Sequence, residues 1–377
     1  MHRHICHIIT GLQGGGAEKM LFRLLCNTLD GPFAYSVISL TDTGPVGQQI
    51  RDIGIPVNSL RMPRGFPDPR GIFKLYFLLK RSRPNLVQTW MYHADLIGGI
   101  TAKIAGKLPV VWNIRHSDLA RDKIKRNTIL TAKACAKLSS KLPNRIICCA
   151  ENAKKAHIEL GYDPDKIIVI PNGFDLDRFV PNIRMRYAIR KKLGLSSEVR
   201  LIGMIARFHR DKDHKNFIDA AASLHVVDPA AHFLLCGNNV EWTNPELANQ
   251  IRKKNLHKNF HLIGEREDIH KIMASLDIAT LSSSSEAFPN VVGEAMACGI
   301  PCVVTDVGDS AYIVGDTGIV VPPRNPQALA QAWKDILALS LEERLEIGRR
   351  ARNRIKDMFD LRSTAQNYQA LWMSIMV

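Results

Sequence analysis

The chain has 377 residues, 46% hydrophobic and 23% charged, with 51 Lys and Arg against 36 Asp and Glu for a net charge of +15. Its length exceeds the ~250 to 300 residues at which single cores stop growing, so two domains are expected. The composition excludes a disordered chain, a collagen-like repeat and a disulfide-stapled miniprotein. The excess of positive charge points to an anionic partner: nucleic acid, acidic phospholipid or a phosphate-bearing substrate. The eight cysteines, Cys6, Cys26, Cys135, Cys148, Cys149, Cys236, Cys298 and Cys302, mostly lie in apolar runs and form no zinc-type C-x-x-C framework. They read as buried, reduced thiols of a cytoplasmic protein. The N-terminal apolar stretch is short and broken by histidines, and no run reaches the ~18 apolar residues of a membrane span, so any membrane contact is expected at the surface.

Short apolar runs alternate with helical patterns along the chain. His4–Ile9 reads as the first strand and runs into Thr10-Gly11-Leu12-Gln13-Gly14-Gly15-Gly16, with a helix from about Ala17. Glycines there let backbone N–H groups approach an anion, and the helix N-terminus adds partial positive charge. Neither a dinucleotide fingerprint nor a Walker loop is present, and a plain tight turn explains the run equally well. Ala34–Leu40, Leu86–Trp90, Val110–Ile114 and Arg145–Cys149 complete the first set of strands. Residues 170–199, with Pro171, Asn172, Gly173, Pro181 and the basic run Arg190-Lys191-Lys192, mark a change in composition. Leu201–Ala206, His232–Cys236, His261–Ile263, Ile278–Leu281 and Cys302–Thr305 form the second set. Buried strands with intervening helices predict an α/β protein of two doubly wound parallel sheets, whose ligands bind outside the carboxyl ends of the strands.

The richest of those loops follows Leu281: four serines, Glu286-Ala-Phe-Pro-Asn-Val-Val-Gly-Glu294, then Ala-Met-Ala-Cys-Gly299-Ile-Pro301. Pro289 suits the first helical turn and Gly299 the C-terminal cap, which leaves Glu286 in the loop and Glu294 in the helix. Singly, either glutamate is most simply a solvated carboxylate; two in an otherwise apolar strand-loop-helix segment ask for a function. Arg207 and Lys212 follow the strand ending at Ala206, where a solvated basic loop is the plain alternative. His93 and His116 sit just after successive strands, each most simply a structural histidine on its own.

Glu286 and Glu294 with the Ala-Met-Ala-Cys-Gly-Ile-Pro that follows resemble the paired-glutamate motif of retaining GT-B glycosyltransferases of family 4. The similarity extends through Gly14-Gly15-Gly16-Ala17-Glu18, Ile170-Pro171-Asn172-Gly173, Arg207 with Lys212, and Val321-Pro322, nearly the whole chain. The resemblance implies the GT-B fold, two Rossmann-like domains facing a cleft: 1–171 binding the acceptor, 172–198 a linker, 199–357 binding the nucleotide sugar, and 358–377 a helix crossing back. It implies a nucleoside diphosphate sugar, a UDP-sugar favoured over a GDP-sugar, as donor substrate with no cofactor and no metal. Glu294 would bond the ribose and Glu286 the donor sugar, chemistry that suits carboxylates facing vicinal hydroxyls. Arg207, Lys212 and the Gly14, Gly15, Gly16 loop would hold the diphosphate. The turn of Phe288, Pro289 and Asn290 would bring backbone N–H groups to the sugar and phosphates. Arg266, in the turn after the strand His261–Ile263, would frame the base. His93 and His116 would line the acceptor side, with Arg115 and Asp95 orienting them or meeting an anionic acceptor; His116, Arg207, Lys212 and Glu286 would carry the reaction.

The activity implied is transfer of a hexose or N-acetylhexosamine, with retention, to a saccharide or polyprenyl-linked saccharide in cell-surface polysaccharide or glycolipid biosynthesis. Two other readings compete: a GT-B-like nucleotide-sugar epimerase, and a basic nucleic-acid-binding protein, although no zinc-finger spacing or RNA-recognition aromatic motif is present. Residues 1–180 contain 26 Lys and Arg against 14 Asp and Glu, so +12 of the +15 lies in the first half. Within it, residues 119–142 place Lys123, Lys125, Arg126, Lys133, Lys137 and Lys141 among leucines and isoleucines. That pattern suits a helix resting on an anionic membrane at the inner face of the cytoplasmic membrane, or a solvated basic face over a core-packed stripe.

Overall fold

The structure is a computed structural model that describes residues 3–63, 68–115 and 126–376. The chain divides into two compact units, Met1–Gly173 with Leu361–Val377, and Phe174–Asp360.

The first unit is built on β1 (Arg3–Ile9), β2 (Phe33–Ser39), β3 (Val57–Ser59), β4 (Leu86–Trp90), β5 (Val110–Ile114), β6 (Arg145–Cys148) and β7 (Ile167–Val169). They form one parallel sheet in the order β3-β2-β1-β4-β5-β6-β7. The connecting helices are α1 (Gly16–Cys26), α2 (Gly44–Asp52), α3 (Pro69–Ser82), α4 (Tyr92–Gly106), α5 (Arg126–Leu138) and α6 (Glu151–Glu159). β4 and β5 are buried at every residue, as strands covered on both faces must be. The order reverses between β1 and β4, the switch point at which such sheets receive ligands.

The second unit has β8 (Leu201–Ile205), β9 (His232–Cys236), β10 (Phe260–Leu262), β11 (Ile278–Leu281), β12 (Cys302–Thr305) and β13 (Gly318–Val321) in the order β10-β9-β8-β11-β12-β13, again all parallel. Its helices are α7 (Ile183–Lys192), α8 (His214–His225), α9 (Pro245–Lys253), α10 (Ile269–Ala274), α11 (Asn290–Ala297), α12 (Ser310–Val314), α13 (Pro326–Ala338) and α14 (Leu341–Met358). Its switch point lies between β8 and β11. The last helix, α15 (Leu361–Ile375), belongs to the first unit. There Trp372 is fully buried and donates from Nε1 to Gln88 Oε1 at 2.5 Å, and Tyr368 lies parallel to Trp90.

All ten predicted strands are present within a residue or so. β3 and β7, three residues each at the two edges of the first sheet, were not predicted; β13 is the strand of the strand-turn pattern ending at Val321-Pro322. The composition shift read as a linker holds α7, where Arg190 is 1% exposed and pairs with Asp277 at 2.6 Å. Seven cysteines are buried, Cys26 is exposed, and none is in a disulfide. No described helix is long and apolar enough to cross a membrane.

Candidate active site

Two loops flank the switch point of the second sheet, one leaving β8 and one leaving β11. After β8, Arg207 is exposed, and its guanidinium has no hydrogen-bond or ion-pair partner among the described residues. A short 3-10 turn at Arg210–Lys212 then delivers Lys212. Asp213 ends that turn with φ 47°, a left-handed conformation that Asp tolerates better than most residues, and caps α8 by accepting from Asn216 N at 3.1 Å.

After β11 the serines tie this second loop to the first. Ser282 Oγ donates to the carbonyls of Lys212 and Asp213 at 3.0 and 3.1 Å. Ser284 N donates to Asp211 O at 2.8 Å, and Thr305 Oγ1 donates to Ser283 O at 2.7 Å. Ser283 Oγ in turn donates to Glu286 Oε1 at 2.7 Å, and the same carboxylate oxygen forms an ion pair with Lys212 Nζ. The pair is mostly buried, with side chains 24% and 12% exposed. Lys212 and Glu286, 74 positions apart, therefore meet at the carboxyl edge of the sheet: Ser282 and Ser284 hold the two loops together, while Ser283 positions the Glu286 carboxylate and Thr305 of β12 anchors Ser283. These serines belong to the run of four directly after the strand.

Glu294 lies in α11, half-buried, one residue after Gly293. A Cβ on Gly293 would come within 2.1 Å of Phe174 Cζ, so glycine is required for this helix to settle on the aromatic cluster of Phe174, Phe288 and Phe359. Gly308, at φ 55°, approaches the loop from the other side; a Cβ there would lie 2.5 Å from the Glu286 and Ala287 carbonyl oxygens. Gly299, at φ 71°, follows the last turn of α11 as its cap.

Two expectations about Pro289 change. Pro289 caps α11 from outside and is not in its first turn. Phe288 is 7% exposed and stacks on Phe174, so its side chain serves the core. Pro289 carries no N–H, which leaves Phe288, Asn290 and the first turn of α11 as the backbone donors of the turn. Arg266 is committed to Asp268 through two hydrogen bonds of 2.9 and 3.0 Å. That bond holds the Asp268 carboxyl below its usual range.

In the first unit, the glycine loop leaves β1 as expected. Gly14 adopts φ 130° and Gly15 caps α1. A Cβ on Gly15 would lie 2.6 Å from Glu18 Oε2, so the carboxylate of Glu18 folds back over this helix N-terminus; burial raises its pKa. His93 is the second residue of α4 and half-buried, with its pKa lowered by burial. Just before it, Met91 has φ 72° and ψ 153°, a region almost reserved for glycine and typical of functional sites. His116 lies outside the described residues. Its neighbour Arg115 stacks over Trp90 at 4.8 Å and donates to Asn172 Oδ1 at 2.5 Å and Tyr368 OH at 3.2 Å. Asp95 is fully buried; Thr89 Oγ1 donates to its Oδ1 at 2.5 Å, and burial raises its carboxyl pKa well above the ordinary value. Among the described residues no three His, Cys, Asp or Glu side chains converge to hold a metal ion.

Comparison with known proteins places this geometry. Residues 2–178 match the model described as Glycosyltransferase Family 4, and residues 185–354 that described as Glycosyl transferases group 1. A UDP-Gal:alpha-D-GlcNAc-diphosphoundecaprenol alpha-1,3-galactosyltransferase of Escherichia coli is 32% identical over 66% of this chain and 64% of its own length, just under two thirds of that relative. An N,N'-diacetylbacillosaminyl-diphospho-undecaprenol alpha-1,3-N-acetylgalactosaminyltransferase of Campylobacter jejuni is 28% identical over 86% of this chain and 87% of its own. The fold is that of the HepE protein of Anabaena, solved with UDP, at a TM-score of 0.87 and 22% identity over 98% and 99% of the two chains.

Proposed function

The chain belongs to the group 1, family 4 glycosyltransferases, and on that premise we propose that it moves a hexosyl or N-acetylhexosaminyl group from a UDP-sugar, with retention, to a lipid-linked saccharide in polysaccharide or glycolipid assembly. The observation that carries the reading is the edge of the second sheet, where Arg207, exposed and without a partner among the described residues, stands with the Lys212–Glu286 ion pair. A diphosphate leaving group needs cations where negative charge grows. Arg207 is available for it as it stands. Lys212 becomes available when donor-sugar hydroxyls take its place on Glu286. Glu294 bonds the ribose, and the first turn of α11 supplies N–H groups and the positive end of its dipole.

In this reading the bond between the anomeric carbon and the phosphate oxygen breaks as the acceptor oxygen bonds to the same face of that carbon. The acceptor proton passes to the departing phosphate oxygen, so the step needs neither a carboxylate nucleophile nor a metal. Gly14, Gly15 and Gly16 are assigned to the diphosphate, His93 and His116 to the acceptor, and Arg266 to the base through its turn. The UDP-sugar and the lipid-linked acceptor are supported by the names of the E. coli and C. jejuni relatives and by HepE having been solved with UDP and with UDP-glucose.

Calorimetric titration with a panel of nucleoside diphosphates tests the donor. UDP is expected to bind best, and Arg207→Ala to weaken it at least tenfold. Preference for another base, or equal binding by Arg207→Ala, overturns the assignment.

A further inference from the structure

In the first unit α3, α4 and α5 lie side by side, α4 packed against both neighbours. Helices covering a sheet normally turn mixed polar and charged side chains to water. Here large apolar groups face outward. Phe73 and Phe77 on α3 are 66% and 65% exposed, Ile104 on α4 is 68% exposed, and Leu130 on α5 is 65% exposed. The two phenylalanines are four residues apart and so share one helix face, where the exposed Arg70, Lys80 and Arg81 stand beside them. On α5, Arg126, Leu130, Lys133 and Lys137 repeat at the spacing of one exposed stripe.

The three helices contain eight Lys and Arg. Their sole acidic residue, Asp95, is fully buried. Exposed leucines elsewhere keep different company: Leu341 and Leu345 on α14 sit among Glu342, Glu343 and Glu346. Asp68 caps the start of α3 beside Arg70, and along the described helices themselves the exposed aromatic and aliphatic set is accompanied by cations, which makes it complementary to a surface that is anionic outside and apolar beneath.

We propose that the α3–α4–α5 face docks the protein on an anionic lipid bilayer. Phe73, Phe77, Ile104 and Leu130 enter the boundary between headgroups and acyl chains, and the cations bind the headgroup phosphates. Aromatic rings suit that depth. The face moves the basic surface predicted over residues 119–142 onto α3 as well; Lys123 and Lys125 lie outside the described residues. The inference rests on the lipid-linked acceptor for its purpose, while its physical grounds are the face alone.

The test is sedimentation of the full chain with vesicles of phosphatidylcholine alone or mixed with phosphatidylglycerol. Binding is expected only to the anionic vesicles. Neutralising a surface cation weakens such binding about fivefold, so R70Q/K80Q/R81Q should lower partitioning about 10²-fold. F73S/F77S should lower it by about 10²-fold or more. L341S/L345S should leave it unchanged, and UDP affinity should hold in all three variants.

Failure of the parent to bind anionic vesicles, or parent-like binding by both α3 variants, overturns the proposal. So does concentration-dependent self-association abolished by F73S/F77S without vesicle binding, which would give the face to a second copy of the chain. Transfer assays separate this inference from the acceptor reading. The α3 variants should retain turnover of a polyprenyl-linked saccharide in detergent micelles and lose it in vesicles. If that acceptor is used in neither format while anionic vesicles still bind, the docking face stands and the acceptor reading falls.

Discussion

The two units are built on the same plan and carry opposite electrostatic designs. The first has 26 Lys and Arg against 12 Asp and Glu, a net of +14; the second has 25 against 24, a net of +1. Yet the candidate diphosphate cations Arg207 and Lys212 belong to the nearly neutral unit. A leaving group of fixed geometry needs few charges, held where charge develops and shielded from competition. A lipid surface has no fixed geometry and responds to the number of cations near it, each contributing little. Net charge therefore singles out the first unit and gives no sign of the candidate diphosphate cations in the second.

The comparison can be broken most sharply at the ion pair. Lys212→Ala should lower kcat/KM about 10²- to 10³-fold with an unchanged circular dichroism spectrum and unchanged vesicle binding. A loss of vesicle binding in that variant would couple what is here assigned to separate units. Gly293→Ala forces a methyl into the Phe174 ring, and overpacking of this kind costs about 1–3 kcal/mol. Chemical denaturation should show that loss together with a raised donor KM, because the displaced helix carries Glu294.

Acid should weaken the second unit through His214. Its ring is 3% exposed, and burial lowers its pKa from the ordinary 6.5 to about 4. The unfolded chain takes up the proton first, so the stability contribution is complete above about pH 6.5 and is lost as the pH falls toward about 4. At pH 5 the loss is about 2 kcal/mol. His214→Leu should flatten the dependence of the urea midpoint on pH in that window, while His7 of the first unit, whose pKa is lowered to about 3 by burial, retains its own share. A slope identical in the variant would remove His214 from the account. The smallest effect is expected at Asp213→Ala, which gives up the α8 cap and places alanine at a positive φ for about 1–2 kcal/mol. Thermal melting measures it, and Asp213→Gly should recover part of the loss.

Much of the donor region was legible because its residues occur in local runs. Glu286, Glu294 and Gly299 fall within fourteen positions of one strand-loop-helix unit, and Arg207 with Lys212 follows a strand whose apolar run is plain. What those residues touch was not legible. The Lys212–Glu286 pair depends on Ser282 and Ser284 reaching the neighbouring loop and on Ser283 holding the Glu286 carboxylate. The sequence did not show that Arg266 is paired with Asp268, or that the Phe288 side chain packs in an aromatic cluster while its backbone N–H stays with the turn.

The short edge strands β3 and β7 escaped for a related reason. Three residues hold too little periodicity, and their pairing is decided by the neighbouring strand. The basic surface shows the same division. Counting charges located the excess in the first half, and the helical pattern of residues 119–142 suggested one helix. Phe73 and Phe77 gave no signal as outward residues, because a phenylalanine in a helix is by default a core residue.

The amino-acid sequence by itself determined the family, the two parallel sheets and the loops that bear the chemistry, since these rest on local patterns of polarity, glycine and charge. The tertiary structure alone decided which side chains meet and which face water. Lys212 reaches Glu286 across 74 positions, and Phe73 is left uncovered beside cations, because contact and exposure are properties of packed neighbours rather than of the chain taken residue by residue.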